Sequence, residues 1–235
     1  MRVSTGVDGI DQLIDGGLPG GRLYVISGPP GSGKTTLSSQ FLTEGARQQD
    51  NCLFISMHEK RSELVEDMST FEFPFEKVVD SEFVNFIDAT DRDINALLSK
   101  FGGGSHQSGV ESLGNYIVGF IDSNDIDRVV IDSTMILEYL LGDESGSDLT
   151  RFLTTLKRID ATTLLISEMT DPTAYSNEHY LAHGVIFMHN YLQESGMTRG
   201  VQVLKMRGTP IDTDIHPVKF TPRGLSVDPN RTVTR

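Results

Sequence analysis

An α/β fold with a mostly parallel central sheet, helices on both faces and an antiparallel C-terminal extension is what three features of this 235-residue sequence predict. Apolar runs of strand length alternate with helical patterns, as β–α–β units require. A glycine-rich loop, Gly28-Pro29-Pro30-Gly31-Ser32-Gly33-Lys34-Thr35, follows the first long run and opens a helix. From Gly184 onward the pattern changes to short strands punctuated by turn residues, which suits an antiparallel extension of the sheet edge.

Taken in chain order, Arg22–Ser27 reads as the first strand and Lys34 to about Arg47 as the helix after the loop. Cys52–Met57 is a second strand, followed by a helix near Ser62–Thr70. Phe83–Ile87, Arg128–Asp132 and Thr163–Ser167 supply the third, fourth and fifth strands. Val185–Tyr191, Arg199–Met206 and His216–Phe220 form the C-terminal extension. Gly102–Gly109 has the composition of a flexible loop before a helix. Without an internal repeat or a linker-like stretch, residues 1–235 are expected to form one domain. Hydrophobic residues make up 37% of the chain, enough for a proper core, and Phe41, Phe71 and Phe75 are expected in it.

Composition narrows the function classes. No run of about 18 apolar residues appears, and the N-terminus lacks the apolar stretch of a secretory signal, so a cytoplasmic location is expected. The single cysteine, Cys52, lies in an apolar run, which rules out a disulfide framework and suits an inert core thiol. The net charge is −13, from 20 Lys+Arg against 33 Asp+Glu, and Arg outnumbers Lys. Such a surface repels phosphate backbones, and no basic stripe offsets it, so DNA binding is not expected. The Lys-poor, Asp-rich balance resembles that of proteins from salt-loving (halophilic) microbes, where ions screen self-repulsion. The six histidines lack the spacing of a zinc site, and His183, His189 and His216 read as surface or strand residues.

Gly28 to Thr35 satisfies G-x-x-x-x-G-K-[ST] in the strand–loop–helix setting the motif needs. Backbone N–H groups and the helix N-terminus favour bound phosphate there. Lys34 is expected to reach the β- and γ-phosphates and Thr35 to ligate Mg²⁺, with Thr36 next in the nucleotide-binding set. Asp132 ends the apolar run Val129–Ile131 at the sheet edge where ligands sit in open α/β folds, and is expected to hold the Mg²⁺ water shell. The alternative for Asp132 is a helix N-cap. Glu168, at the end of the fifth strand, is either a sensor of the γ-phosphate or a plain strand-end acid. ATP and Mg²⁺ are the expected ligands, although the loop reads phosphates and not the base and so does not by itself separate ATP from other triphosphates.

Ser4-Thr5-Gly6-Val7-Asp8-Gly9-Ile10-Asp11-Gln12-Leu13-Ile14-Asp15-Gly16-Gly17-Leu18-Pro19-Gly20-Gly21 resembles the opening of the KaiC-like branch of RecA-type ATPases, and Lys205-Met206-Arg207-Gly208-Thr209 resembles a late motif of the same branch. The resemblance covers nearly the whole chain as one copy of the domain. It implies a RecA-like core whose subunits form rings, hexamers by the family precedent, with ATP bound between neighbours. It also implies that Lys205 and Arg207 enter the neighbouring subunit's site and touch the γ-phosphate, and residues two apart on a strand share a face. Thr70 and Thr209 fall where the family makes minor nucleotide contacts, while Ile211 stands where relatives often have His.

Two departures from the family matter. The second strand usually ends in two acids, the first of which activates water; here the pair is His58-Glu59. Glu59 fits the second position, and because neighbours on a strand face opposite ways it is not an obvious substitute for the first. A neutral His58 is itself able to accept a proton. Slow hydrolysis is expected. At the family's Ser-Thr phosphorylation positions this chain has His179 and Tyr180, with Ser176 and Thr173 nearby in what reads as an ordinary loop, so self-phosphorylation is not expected. The leading reading is a regulatory ATPase that controls its own assembly or an unidentified protein partner. A DNA-binding recombination mediator and a non-hydrolysing nucleotide-binding scaffold are the alternatives.

Overall fold

A computed structural model describes residues 1–88, 106–134, 147–193 and 196–233. In chain order the described elements are β1 (Arg2–Val3), α1 (Asp8–Leu13), β2 (Leu18–Pro19), β3 (Leu23–Gly28), α2 (Lys34–Arg47), β4 (Cys52–Ser56), α3 (Arg61–Met68), α4 (Phe75–Val79) and β5 (Val84–Asp88). They continue with α5 (His106–Ser123), β6 (Arg128–Asp132), α6 (Ser147–Leu156), β7 (Thr162–Glu168), α7 (Asn177–Leu181), β8 (Gly184–Gln193), β9 (Gly196–Met206), β10 (His216–Thr221) and β11 (Gly224–Val227). Helix α5 begins inside the stretch read as a flexible loop, whose residues 102–105 lie outside the described residues.

The main sheet runs β11-β10-β9-β8-β3-β7-β6-β4-β5, and every pairing from β8 to β5 is parallel. The antiparallel part therefore starts one strand later than the sequence suggests. Strand β8 lies parallel to β3, with Val185 opposite Val25, and the chain reverses only at the β8–β9 hairpin. A two-strand β1–β2 ribbon stands apart from this sheet.

Strands β3, β4 and β6 are buried along their whole length, which is why they read as unbroken apolar runs instead of alternating ones. Successive residues feed opposite faces. Tyr24, Ile26, Phe54 and Val130 pack with Leu37 and Phe41 of α2 on one face, together with residues of α1, α3 and α4. Val25, Leu53, Ile55 and Val129 pack on the other face with Ile117 and Ile121 of α5 and with α6. Helix α6 presents Leu149, Phe152, Leu153 and Leu156 inward, one face at helical spacing. Phe41 and Phe75 are core residues as expected, whereas Phe71 is only half-buried and stacks on Phe73 and Phe220.

Arg128 is the largest fully buried side chain among the described residues. Its guanidinium donates to Asp50, Gln48 and the carbonyls of Ser4 and Phe41, and it lies over the Phe41 ring. Every face of the charge thus has a partner, which is the condition for enclosing it. In the opening motif, Asp11 accepts the Ser4 hydroxyl and both the amide and hydroxyl of Thr5, so that stretch folds onto α1 as a locked turn. Cys52 is buried, and burial pushes its thiol up to about 12, so it is inert as expected.

Candidate functional site

Strand β3 delivers the phosphate loop to the C-terminal end of the parallel strands. Gly28 has φ 151° and Gly33 φ 103°. A Cβ at Gly28 would lie 2.2 Å from the carbonyl oxygen of Met188, and Gly33 takes a left-handed turn immediately before α2. The turn leaves the helix N-terminus open, and the buried Ser32 hydroxyl has no partner among the described residues. Both features suit a cradle for phosphate oxygens.

Lys34 is 6% exposed, and its ammonium donates to the carbonyls of Gly28 at 2.8 Å and Pro29 at 3.1 Å. It also pairs with Glu168 at 3.1 Å. Glu168 sits opposite Gly28 in the β3–β7 register, so the strand-end acid belongs to the site. Thr35 Oγ1 donates to Asp132 Oδ2 at 3.1 Å. Two hard oxygen donors side by side suit Mg²⁺. Burial pushes the Asp132 carboxyl up to about 6, against the lowering effects of His58 and the Thr35 hydrogen bond.

These groups line a cleft of about 370 Å³ with Thr36, His58, Glu59, Asp67, Met68 and Phe220. Strand β4 ends at Ser56 and the chain bends through residues 57–59, so strand alternation does not govern His58 and Glu59. Both line the same cleft, contrary to the expectation that they face apart. His58 Nδ1 is 3.8 Å from Asp132 Oδ1, and its Nε2 is 3.7 Å from Glu59 Oε1. Thr70 is exposed beyond the end of α3 and donates to the carbonyl of Asp67, bordering the cleft without lining it.

Lys205, Arg207 and Thr209 are not brought to the cleft of their own chain. Lys205 pairs with Val185, which pairs with Val25, three residues before Gly28. At about 3.3 Å per residue, that is about 10 Å down the strand and two strands across. Arg207 continues in the same direction, bonded through His183 to Leu23, and Thr209 accepts from Arg2. The two cations do converge: Lys205 donates to the carbonyls of His179 and Tyr180, and Arg207 to that of Tyr180. Burial, then the charge of Arg207, lowers the Lys205 ammonium below its ordinary value.

Some neighbours of the site escaped the sequence reading. Asn190 and Arg199 face each other across the β8–β9 hairpin and donate to the carbonyls of Pro30 and Gly31, at 3.1 and 3.0 Å. Arg199 also lies over the Phe220 ring at the mouth of the cleft. His189 and His216 are buried strand residues, and His183 is half-buried just before β8. Ser176, read as a loop residue, bonds to Glu178 and His179, while Thr173 closes a turn on Asp171.

Residues 3–232 match the family model described as "ATPase: KaiC". The circadian clock oscillator protein KaiC of Prochlorococcus marinus is 30% identical over 237 residues, covering 97% of this chain and 46% of that protein. The circadian clock protein KaiC3 of a Synechocystis species is 29% identical, covering 88% of this chain and 41% of that protein. This chain thus spans under half the length of the curated relatives it matches. The crystal structure of a KaiC-like protein from Pyrococcus horikoshii superposes with a TM-score of 0.81 at 27% identity, covering 97% of this chain and 99% of that one. A match reaching from residue 3 to residue 232 takes in the whole described sheet together with the phosphate loop, and the chain belongs to the KaiC family of ATPases, within the RecA superfamily.

Proposed function

We propose that this chain binds Mg²⁺–ATP in the cleft at the end of β3 and hydrolyses it slowly, at sites shared between copies of itself in a ring, to control assembly or a protein partner. The observation that carries the reading is the Thr35–Asp132 contact of 3.1 Å. It joins residues 97 positions apart beside the loop that holds Lys34, and this is the pairing a magnesium nucleotide needs.

Each residue then has a defined task. The triphosphate takes the Lys34 ammonium from the carbonyls and Glu168 that now hold it. Thr35 and Asp132 would hold Mg²⁺, which would supply positive charge against the phosphates when bound. Water attacks the γ-phosphorus and ADP leaves. The water's proton passes to Glu59 or His58, which lie together on the Asp132 side of the cleft. Lys205 and Arg207 of a neighbouring copy reach the γ-phosphate and steady the transition-state charge. Their distance from the cleft of their own chain supports action across an interface. The cytoplasm and a closed homo-oligomer, with six subunits as the family precedent, complete the reading.

Phosphate release measured together with particle size tests it. ATP is expected to enlarge the assembly and to be cleaved, and Lys34→Ala to lose both. Equal phosphate release from the wild type and Lys34→Ala would contradict the assignment.

A further inference from the structure

Ser27 and Ser167 face each other in register and are the residues directly before Gly28 and Glu168. Those two are the partners Lys34 holds by carbonyl and carboxylate. Neither serine hydroxyl points to the cleft. Ser27 Oγ is 2.7 Å from His179 Nε2, and Ser167 Oγ donates to Glu178 Oε1 at 2.8 Å. Both partners belong to α7 and are buried, His179 to 2% and Glu178 to 3% exposure. The Ser176 amide donates to His179 Nδ1, so the ring proton sits on Nε2 and is given to Ser27. Burial lowers the His179 pKa, in keeping with a neutral ring.

The main chain of α7, one residue further on, has another task. The carbonyls of His179 and Tyr180 are the acceptors that hold Lys205 and Arg207. Helix α7 therefore grips the root of the phosphate loop with its side chains and the two cations with its backbone. When a γ-phosphate draws the ammonium of Lys34 away, Gly28 and Glu168 lose a charged partner. The two serines that carry them are tied to α7 by short buried bonds, so a shift is passed on instead of being absorbed by solvent.

We infer that Glu178 and His179 are positioning residues of the ATPase, linking occupancy of a subunit's own phosphate loop to the placement of the cations it offers its neighbour. The inference rests on the nucleotide reading proposed above.

The test is hydrogen exchange of the full chain with and without Mg²⁺–ATP, following residues 177–183. A Lys205→Ala, Arg207→Ala background removes direct contact between these cations and a neighbour's nucleotide. In that background ATP is expected to change exchange of 177–183 by at least about fivefold. Adding His179→Leu, which fills the space without a polar atom, is expected to abolish the change. His179→Gln, whose amide reaches the Nε2 position, is expected to restore it. Ser27→Ala breaks the same bond without altering α7 and is expected to act like the leucine variant, which covers the case in which leucine impairs folding. Calorimetry on the same samples separates the two levels of the account. If the background protein fails to bind ATP, the nucleotide reading and the inference fall together. If it binds ATP while 177–183 does not respond, or responds in Ser27→Ala and His179→Leu as strongly as in the background, the nucleotide reading stands and the inference is overturned.

Discussion

Lys205 and Arg207 converge on a single acceptor, the carbonyl oxygen of Tyr180, at 3.2 and 3.1 Å. Two cations so placed sit at the end of the sheet remote from their own phosphate loop. The proposed reading needs that separation, with nucleotide held at one end of a subunit and positive charge offered to a neighbour from the other.

Lys34→Ala is expected to weaken ATP binding by at least about a hundredfold, roughly 2.7 kcal/mol, because the phosphates lose their buried cation. The change also strands Glu168 and two carbonyls without the ammonium they share. Calorimetric titration with Mg²⁺–ATP checks this, and an unchanged dissociation constant contradicts it.

Asp132→Asn separates the metal role from a capping role. The amide keeps the shape but not the charge, so nucleotide is expected to bind while Mg²⁺-dependent turnover falls at least about tenfold, roughly 1.4 kcal/mol in the barrier. Stability without nucleotide or divalent cation moves the opposite way. The folded carboxyl titrates near 6, above its unfolded value of about 3.9, so the native state binds more protons between those values. Its contribution to stability therefore falls as pH rises from about 4 to about 6 and is flat above. Asp132→Asn escapes this loss and is expected to be more stable than wild type at pH 7, by on the order of 2–3 kcal/mol. Paired urea unfolding curves at pH 5, 6 and 7 in chelator read the difference, and equal stabilities at pH 7 refute it.

His58 and Glu59 both line the cleft, so single substitutions decide which accepts the proton. The base-deficient variant, whether His58→Ala or Glu59→Gln, is expected to lose about 10²-fold or more in turnover while binding ATP normally. Retention of full activity by both variants would remove the pair from the mechanism.

Arg128 has no part in the chemistry, yet its loss is expected to be severe. Arg128→Ala strands Asp50, Gln48 and two carbonyls beside a cavity, with a cost of about 3–5 kcal/mol in urea unfolding. A loss below about 1 kcal/mol would show that the enclosed charge is dispensable.

The central strands and the phosphate loop were legible in the sequence because their signals are local. A strand buried on both faces must be apolar throughout, and glycines with Lys-Thr at fixed spacing have few other uses. Asp132 was legible as the polar end of such a run. The orientation of β8 was not, since a strand's own residues look alike whether its neighbour runs parallel or antiparallel. That His58 and Glu59 share a face was not legible, because the end of β4 at Ser56 depends on tertiary context. Asn190 and Arg199 reach partners 160 and 168 residues away, and no pattern within the hairpin announces such contacts. Arg128 reads as a strand residue in the sequence, and only the folded chain shows the four groups that receive its charge. In the sequence His179 shows only what it replaces, while its bond to Ser27 exists only once β3 and α7 are packed.

The shared site is tested most directly by mixing two inactive variants, Lys34→Ala and the double variant Lys205→Ala, Arg207→Ala. Removing a cation supplied in trans typically costs on the order of 10³ or more in rate, so each parent alone is expected to be inactive. In mixed rings, some interfaces pair an intact phosphate loop with intact cations from the neighbour, and partial phosphate release is expected to return. Failure to recover activity in mixtures whose subunits demonstrably exchange would contradict the shared site.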